Sequence, residues 1–381
     1  MRFNRIVMLF ALVGVTYARD AQAQSPARTS EPLRLRGTID LSIGEARESR
    51  DAYIFGVIDG LAMDAQGRII VADRKDHTIR VFSASGRHLY NIGRKGKGPG
   101  DLDSPCCLTI AKDGMLWVKE NGNHRYSVFR LGATDASYVR STRGATNSVW
   151  SADRVDFDAK GRIIDLESAF NSATKTFRIV RLHVDLTGTV MDRDTVPQPP
   201  DDSLGSVTFP TRNGVATYSQ PYGASELHAY GANGDMAHAV SSHYAVAWVA
   251  ADGRRRALVQ RAAVPAPALS AKERTSTDEL LNTIAKNTGV PRANLKLTIP
   301  NRKAPLHALG FDLDGRLWVE RSVADGQPGE ADVYERNGQW SAIMQWPVGV
   351  TMRFWAVRGR AGLGVAEDED GVQRVVRVQF R

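Results

Sequence analysis

Apolar and polar residues alternate along this chain in short runs, and the runs recur. Residues 59–73 read DGLAMDAQGRIIVAD, residues 106–120 CCLTIAKDGMLWVKE, residues 153–167 DRVDFDAKGRIIDLE and residues 307–321 HALGFDLDGRLWVER. Each predicts a half-buried strand, a polar turn closed by glycine, and a second strand rich in Ile, Leu, Val or Trp. The glycine supplies the positive φ that a tight antiparallel hairpin needs. Strong copies of this marker stand at Gly67, Gly114, Gly161 and Gly315, and weaker ones at Gly214, Gly253 and Gly362. In chain order the intervals are 47, 47, 53, 39, 62 and 47 residues. A period near 47 with one insertion is the signature of a repeat architecture.

Two more strands follow the first marker, at 78–86 and 88–93, so each repeat holds four short strands. Third strands are expected at Tyr126 to Arg130, Phe177 to His183, Glu226 to Tyr230, Asp332 to Glu335 and Gln373 to Phe380. Four strands per repeat make a blade, and the chain reads as an all-β propeller. Seven markers favour seven four-stranded blades; if Gly214 and Gly253 share one enlarged blade, there are six. The last repeat is one strand short, while LRLRGTIDLS at 33–42 has no blade of its own. Pairing that N-terminal strand into the last blade closes the ring and leaves no bare sheet edge.

One helix interrupts the pattern. Within an insertion at about 265–305, Ser270 and Glu273 form a capping box, Leu280, Leu281 and Ile284 an apolar side, and Gly289 a stop. The helix, expected over 271–287, must bury that side against the propeller as a lid or a rim decoration.

Residues 60–131 resemble two consecutive NHL repeats. Gly60 to Asp64, Gly67, Val71-Ala72-Asp73, Val81-Phe82, Gly86 and the glycine-rich GKGPG at 96–100 stand where that family has its strand, turn and inter-blade elements. The resemblance is weaker at 153–183 and 307–336 and poor at 203–300. It implies a propeller of the NHL or TolB-like kind, often six-bladed in bacterial proteins. It implies no single activity, because relatives include protein-binding scaffolds, RNA-binding domains, lactonase-like hydrolases and an amidating lyase.

The N-terminus changes the expected location. Arg2 and Arg5 precede the apolar run Ile6 to Val15, and Ala21-Gln22-Ala23 is a small-x-small site. Residues 1–23 therefore read as a signal peptide cut before Gln24, with a retained signal anchor as the alternative. Residues 24–32 read as a flexible mature N-terminus, and 33–381 as one propeller domain of a periplasmic or extracellular, monomeric protein without a membrane span. The precursor carries a net charge of +8. Export removes nucleic acid as the partner for that charge and leaves anionic envelope ligands.

Candidate chemistry is sparse. The chain contains no HExxH, G-x-S-x-G, Walker loop, EF-hand loop or CxxC pair. GRKGKGPG at 93–100 reads as an inter-blade turn rather than an anion cradle. Asp59, Cys106, Cys107, Asp153 and His307 begin first strands, where a propeller places its channel-mouth residues. Adjacent cysteines on a regular strand point to opposite faces, so Cys106 and Cys107 are expected as two packed thiols, with a vicinal bridge as the alternative. Asp64, Asp113, Asp158 and Asp314 fit turn chemistry better than metal binding. Trp117 and Trp318, in equivalent LWV strands, fit inter-blade packing. No cofactor is predicted. The leading expectation is a non-catalytic module that binds a protein, a peptide or an envelope glycan. The alternative is a hydrolase or lyase with a divalent metal in the channel.

Overall fold

The turn aspartates explain how the repeats fold locally. In the computed structural model, Asp64 accepts hydrogen bonds from the backbone N–H groups of Gln66 and Arg68, and pairs with the Arg68 side chain at 2.6 Å. Asp158 and Asp312 repeat the arrangement with Arg162 and Arg316, at 2.6 and 2.7 Å. The D-x-x-G-R motif therefore closes its own turn, satisfying backbone donors that the hairpin leaves free. Gly67, Gly114, Gly161 and Gly315 all carry the expected positive φ, between 74° and 77°.

The described residues are 31–44, 51–145, 154–171, 176–195, 206–211, 214–261 and 264–381. The proposed signal peptide and Asp153 lie outside them. Residues 32–381 form one compact unit. Among the described residues it holds six four-stranded antiparallel blades, spanning 58–92, 105–143, 156–195, 226–260, 306–346 and, for the sixth, 350–380 completed by the N-terminal strand Leu33–Ile43. Seven markers overcount the blades because three of them do not mark an inner hairpin. Gly214 opens the second strand of a separate two-stranded hairpin, Ser206–Thr211 with Gly214–Ser219. Gly253 turns between the third and fourth strands of blade 4, whose inner hairpin turns at Gly234. Gly362 lies inside a strand of blade 6, one turn beyond Gly359. Glu226–Tyr230 is likewise the first strand of blade 4, not a third.

Ring closure follows the expected route. The N-terminal strand runs antiparallel to Gln373–Phe380, with Gly37 opposite Phe380 and Ile43 opposite Val375. Its first residues, Leu33 to Arg36, also pair in parallel with Ala342 to Gln345 of blade 5. One strand thus stitches two blades together.

Blades pack face to face through alternate side chains. Ile70, Val81 and Phe129 lie in one buried cluster between blades 1 and 2, and Trp318, Phe354 and Phe380 in another between blades 5 and 6. Trp117 packs edge-on against Phe157 of blade 3, 5.3 Å between centroids. Both LWV tryptophans are therefore inter-blade packing.

The inserted helix spans Ala271–Thr288, with both bonds of the Ser270–Glu273 capping box and a left-handed Gly289. Leu281 and Ile284 are buried with Phe209, Leu295 and Leu297, against the 206–219 hairpin. Leu280 is half exposed, because it stands one position away from the buried stripe formed with Thr277. No described helix is long and apolar enough to cross a membrane.

Candidate functional site

The two ends of the ring differ chemically. Glycine turns between first and second strands form one end, the hairpin face. At the other, the crossover face, the chain passes from blade to blade. On the crossover face the second strands of blades 1 and 2 end in buried acids that fasten the incoming loop. Asp73 accepts from the N–H groups of Gly56 and Val57, and Glu120 from that of Asp103.

First strands at this face carry bulges. The register slips between Ile58 and Gly60, between Cys106 and Leu108, and between Leu306 and Ala308. The bulged residues are Asp59, Cys107 and His307. A bulge re-aims one side chain without disturbing the rest of the strand, so three of the sequence candidates occupy equivalent positions in three blades.

Their surroundings differ. Asp59 forms an ion pair with Arg74. Cys106 and Cys107 are joined as a vicinal disulfide, which corrects the expectation of two thiols. The alternation argument fails because the bulge, with Cys107 at φ 52°, breaks the regular strand at that residue. A Cβ on Gly60 would stand 3.1 Å from the Cys107 nitrogen, so blade 1 lets the bulge approach only by lacking a side chain. The bridge is buried among Trp117, Tyr126 and Val155.

His307 lines a cavity. This recess of about 540 Å³ is bounded by blades 4 and 5, the segment before blade 4 and the start of the inserted helix. Lys303 pairs with Glu273 of the helix, donates to the Val323 carbonyl at 2.9 Å and lies 5.8 Å from the Tyr222 ring centroid. The helix is thereby tied to the wall of the recess. Gln220 accepts from the Thr298 N–H at 3.2 Å, while its buried Nε2 has no hydrogen-bond partner among the described residues. A buried amide donor left open is costly unless something accepts from it.

Two titratable groups of the recess, His307 and Glu320, are held neutral. Burial, with the Lys303 ammonium adding to it, holds His307 below the ordinary imidazole value, although its ring still faces the open space. Burial raises Glu320 to about 8, against a smaller pull from Arg353. Near neutral pH the recess therefore offers an uncharged imidazole and an uncharged carboxyl.

Glu320, Gln220 and Tyr222 were not among the sequence candidates. A signal for Glu320 was present. Blades 1 and 2 end their second strands VAD and VKE, whereas blade 5 reads VER, with Arg321 in place of the loop-fastening acid. The acid has moved one residue back, to the opposite face of the strand. Gln220 and Tyr222 come from the region without repeat character, where no pattern pointed to them. Among the described residues no three His, Cys, Asp or Glu side chains stand together as a cation site.

A family model described as a 6-bladed beta-propeller matches residues 48–116. The Drosophila melanogaster protein brain tumor is 28% identical over 130 residues, which is 30% of this chain. Only 11% of that relative's length is covered. A solved Bacteroides fragilis protein described as exported superposes with a TM-score of 0.50 at 10% identity, over 91% of this chain and 95% of its own. Virginiamycin B lyase of Staphylococcus aureus gives a TM-score of 0.38 at 11% identity, over 84% and 94%. These likenesses concern the fold.

Proposed function

We propose that this chain is an exported, NHL-like propeller that binds, without catalysis, an uncharged polar segment of a peptide or envelope glycan in the recess under the inserted helix. Export rests on the charged, apolar and small-residue succession of residues 1–23. The observation that carries the binding reading is the recess that Gln220, whose buried amide nitrogen lacks a partner among the described residues, lines together with His307 and Glu320, both held neutral. Hydroxyl and amide groups satisfy such a set with no charge to desolvate. A volume of about 540 Å³ accommodates one or two residues of such a polymer.

Calorimetric titration with a chito-oligosaccharide and with a capped, uncharged tetrapeptide tests this reading. One of them should bind, and Gln220→Leu should weaken it about tenfold, the cost of one unmade buried hydrogen bond. Binding of neither, or equal binding by the variant, rejects the proposal.

A second reading has one observation in its favour. A neutral imidazole and a neutral carboxyl in one recess are a proton acceptor and a proton donor, the pairing used in acid–base hydrolysis or elimination. Turnover of either probe, lost in Glu320→Gln while binding persists, would favour it. Elemental analysis of the purified mature protein addresses the metal-dependent form: a stoichiometric divalent ion would support it.

A further inference from the structure

The hairpin face has a cavity of its own, of about 480 Å³, and every blade contributes to it. Ala62 comes from blade 1, Leu108 and Ile110 from blade 2, Phe157 from blade 3, Leu313 from blade 5 and Trp355 from blade 6; Ala232 of blade 4 completes the ring. This is the mouth of the central channel, opposite the recess described above. Its wall is apolar and partly rigid. The Trp355 N–H donates to the Leu61 carbonyl at 3.0 Å, which fixes that ring across the junction of blades 6 and 1.

The charges around this wall are unbalanced. Lys112, Lys160, Arg140 and Arg154 line the cavity, against Asp113 and Asp158. Arg154 is committed to Asp156 at 2.5 Å, and Asp158 to Arg162 and His183. Arg140 donates to the Leu186 carbonyl at 3.2 Å, lies 5.1 Å from the Trp117 ring centroid, and has no carboxylate partner among the described residues. Lys112 and Lys160 are exposed and form no ion pair among the described residues. Asp113 receives the Met115 N–H and is the only acid on the rim outside an ion pair among the described residues.

An apolar channel ringed, among the described residues, by three cations and one acid outside ion pairs selects for a ligand with an apolar body and a negative head. We propose that the hairpin-face mouth is a second binding site, for a small amphipathic carboxylate whose alkyl or aryl body enters the channel while its carboxylate meets Lys112, Lys160 and Arg140. The site is independent of the crossover-face recess.

The test uses the mature protein and four probes at low ionic strength: octanoate, 2-naphthoate, and the uncharged 1-octanol and 2-naphthol. Tryptophan fluorescence and calorimetry report binding. At least one acid should bind with one site per chain and about tenfold tighter than its alcohol, the contribution of one or two partly screened charge contacts. Which acid binds tells an alkyl from an aryl body. The double variant Lys112→Glu/Lys160→Glu should weaken the acid by about tenfold or more at unchanged thermal stability. Ala232→Trp, at an exposed position on the rim, should block it sterically, whereas Gln220→Leu should leave it unchanged. Binding of neither acid, equal binding of acid and alcohol, or wild-type binding by the double variant overturns the proposal.

Discussion

Glu320 shows how a one-residue shift in a repeat turns a structural acid into a titrating one. Asp73 and Glu120 accept backbone and arginine donors and serve as loop anchors. Glu320 has moved to the neighbouring face, and burial raises its carboxyl from an ordinary 4.5 to about 8. The folded protein thus holds this proton more tightly than the unfolded chain, so the contribution to stability is complete below pH 4.5 and is lost as pH rises towards 8. Relative to Glu320→Gln, the wild type should lose on the order of 2–3 kcal/mol across that interval, less than the full shift because the group keeps some solvent. Parallel urea titrations of the two proteins at several pH values check this, and curves that stay parallel would contradict it. Ligand binding in the recess should weaken as pH rises through about 8, where Glu320 of the folded protein ionises. At the turns, Gly67 at φ 76° has only the Ala84 Cβ near where a side chain would begin, at 3.4 Å, so Gly67→Val should cost roughly 1–3 kcal/mol through backbone strain rather than crowding. These turn residues were legible because their chemistry is local. Glu320 was not, because the groups around it, Arg353 of blade 6 and Gln220 and Tyr222 from the segment before blade 4, are distant in sequence.

Elements were legible where their own sequence determines them. Ser270, Glu273 and Gly289 mark both ends of the helix, and D-x-x-G-R marks the hairpins, since every donor and acceptor involved lies within a few residues. The chain is harder to read at 203–260. There the hairpin 206–219 has its own partner in the helix, through Phe209, Leu281 and Ile284, and it mimics a blade at a nearly regular interval. Gly253 misleads for a similar reason: a glycine turn joins the third and fourth strands of a blade as readily as the first two. Because the helix and hairpin bury one another, Leu281→Ala should destabilise by about 2–4 kcal/mol. It should also weaken ligands in the crossover-face recess, since Glu273 and Lys303 tie that helix to its wall. Thermal unfolding with calorimetry separates the two effects. Loss of stability with unchanged binding would mean the helix does not shape the recess.

At the scale of the whole molecule, everything described depends on six blades held in a ring. Clusters of buried side chains join blade 1 to blade 2, blade 5 to blade 6, and blade 6 back to blade 1 through Ile43, Phe82 and Leu363. The hairpin-face mouth exists only because the ring closes, and closure was legible from a simple shortage: a last repeat lacking one strand and an N-terminal strand lacking a blade. The parallel pairing of Leu33 to Arg36 with blade 5 was not, since it depends on how two blades meet. The most direct test places cysteines at Thr38 and Gln379, which stand opposite one another at the closing seam. Cα atoms of opposed antiparallel residues lie about 4.5–5.5 Å apart, within reach of a disulfide. Non-reducing peptide mapping of the mildly oxidised double variant should recover the 38–379 cross-link in nearly every molecule, in monomeric protein. Two thiols that stay free and alkylate freely in the folded protein would show that head and tail do not meet, and the ring would fall with them.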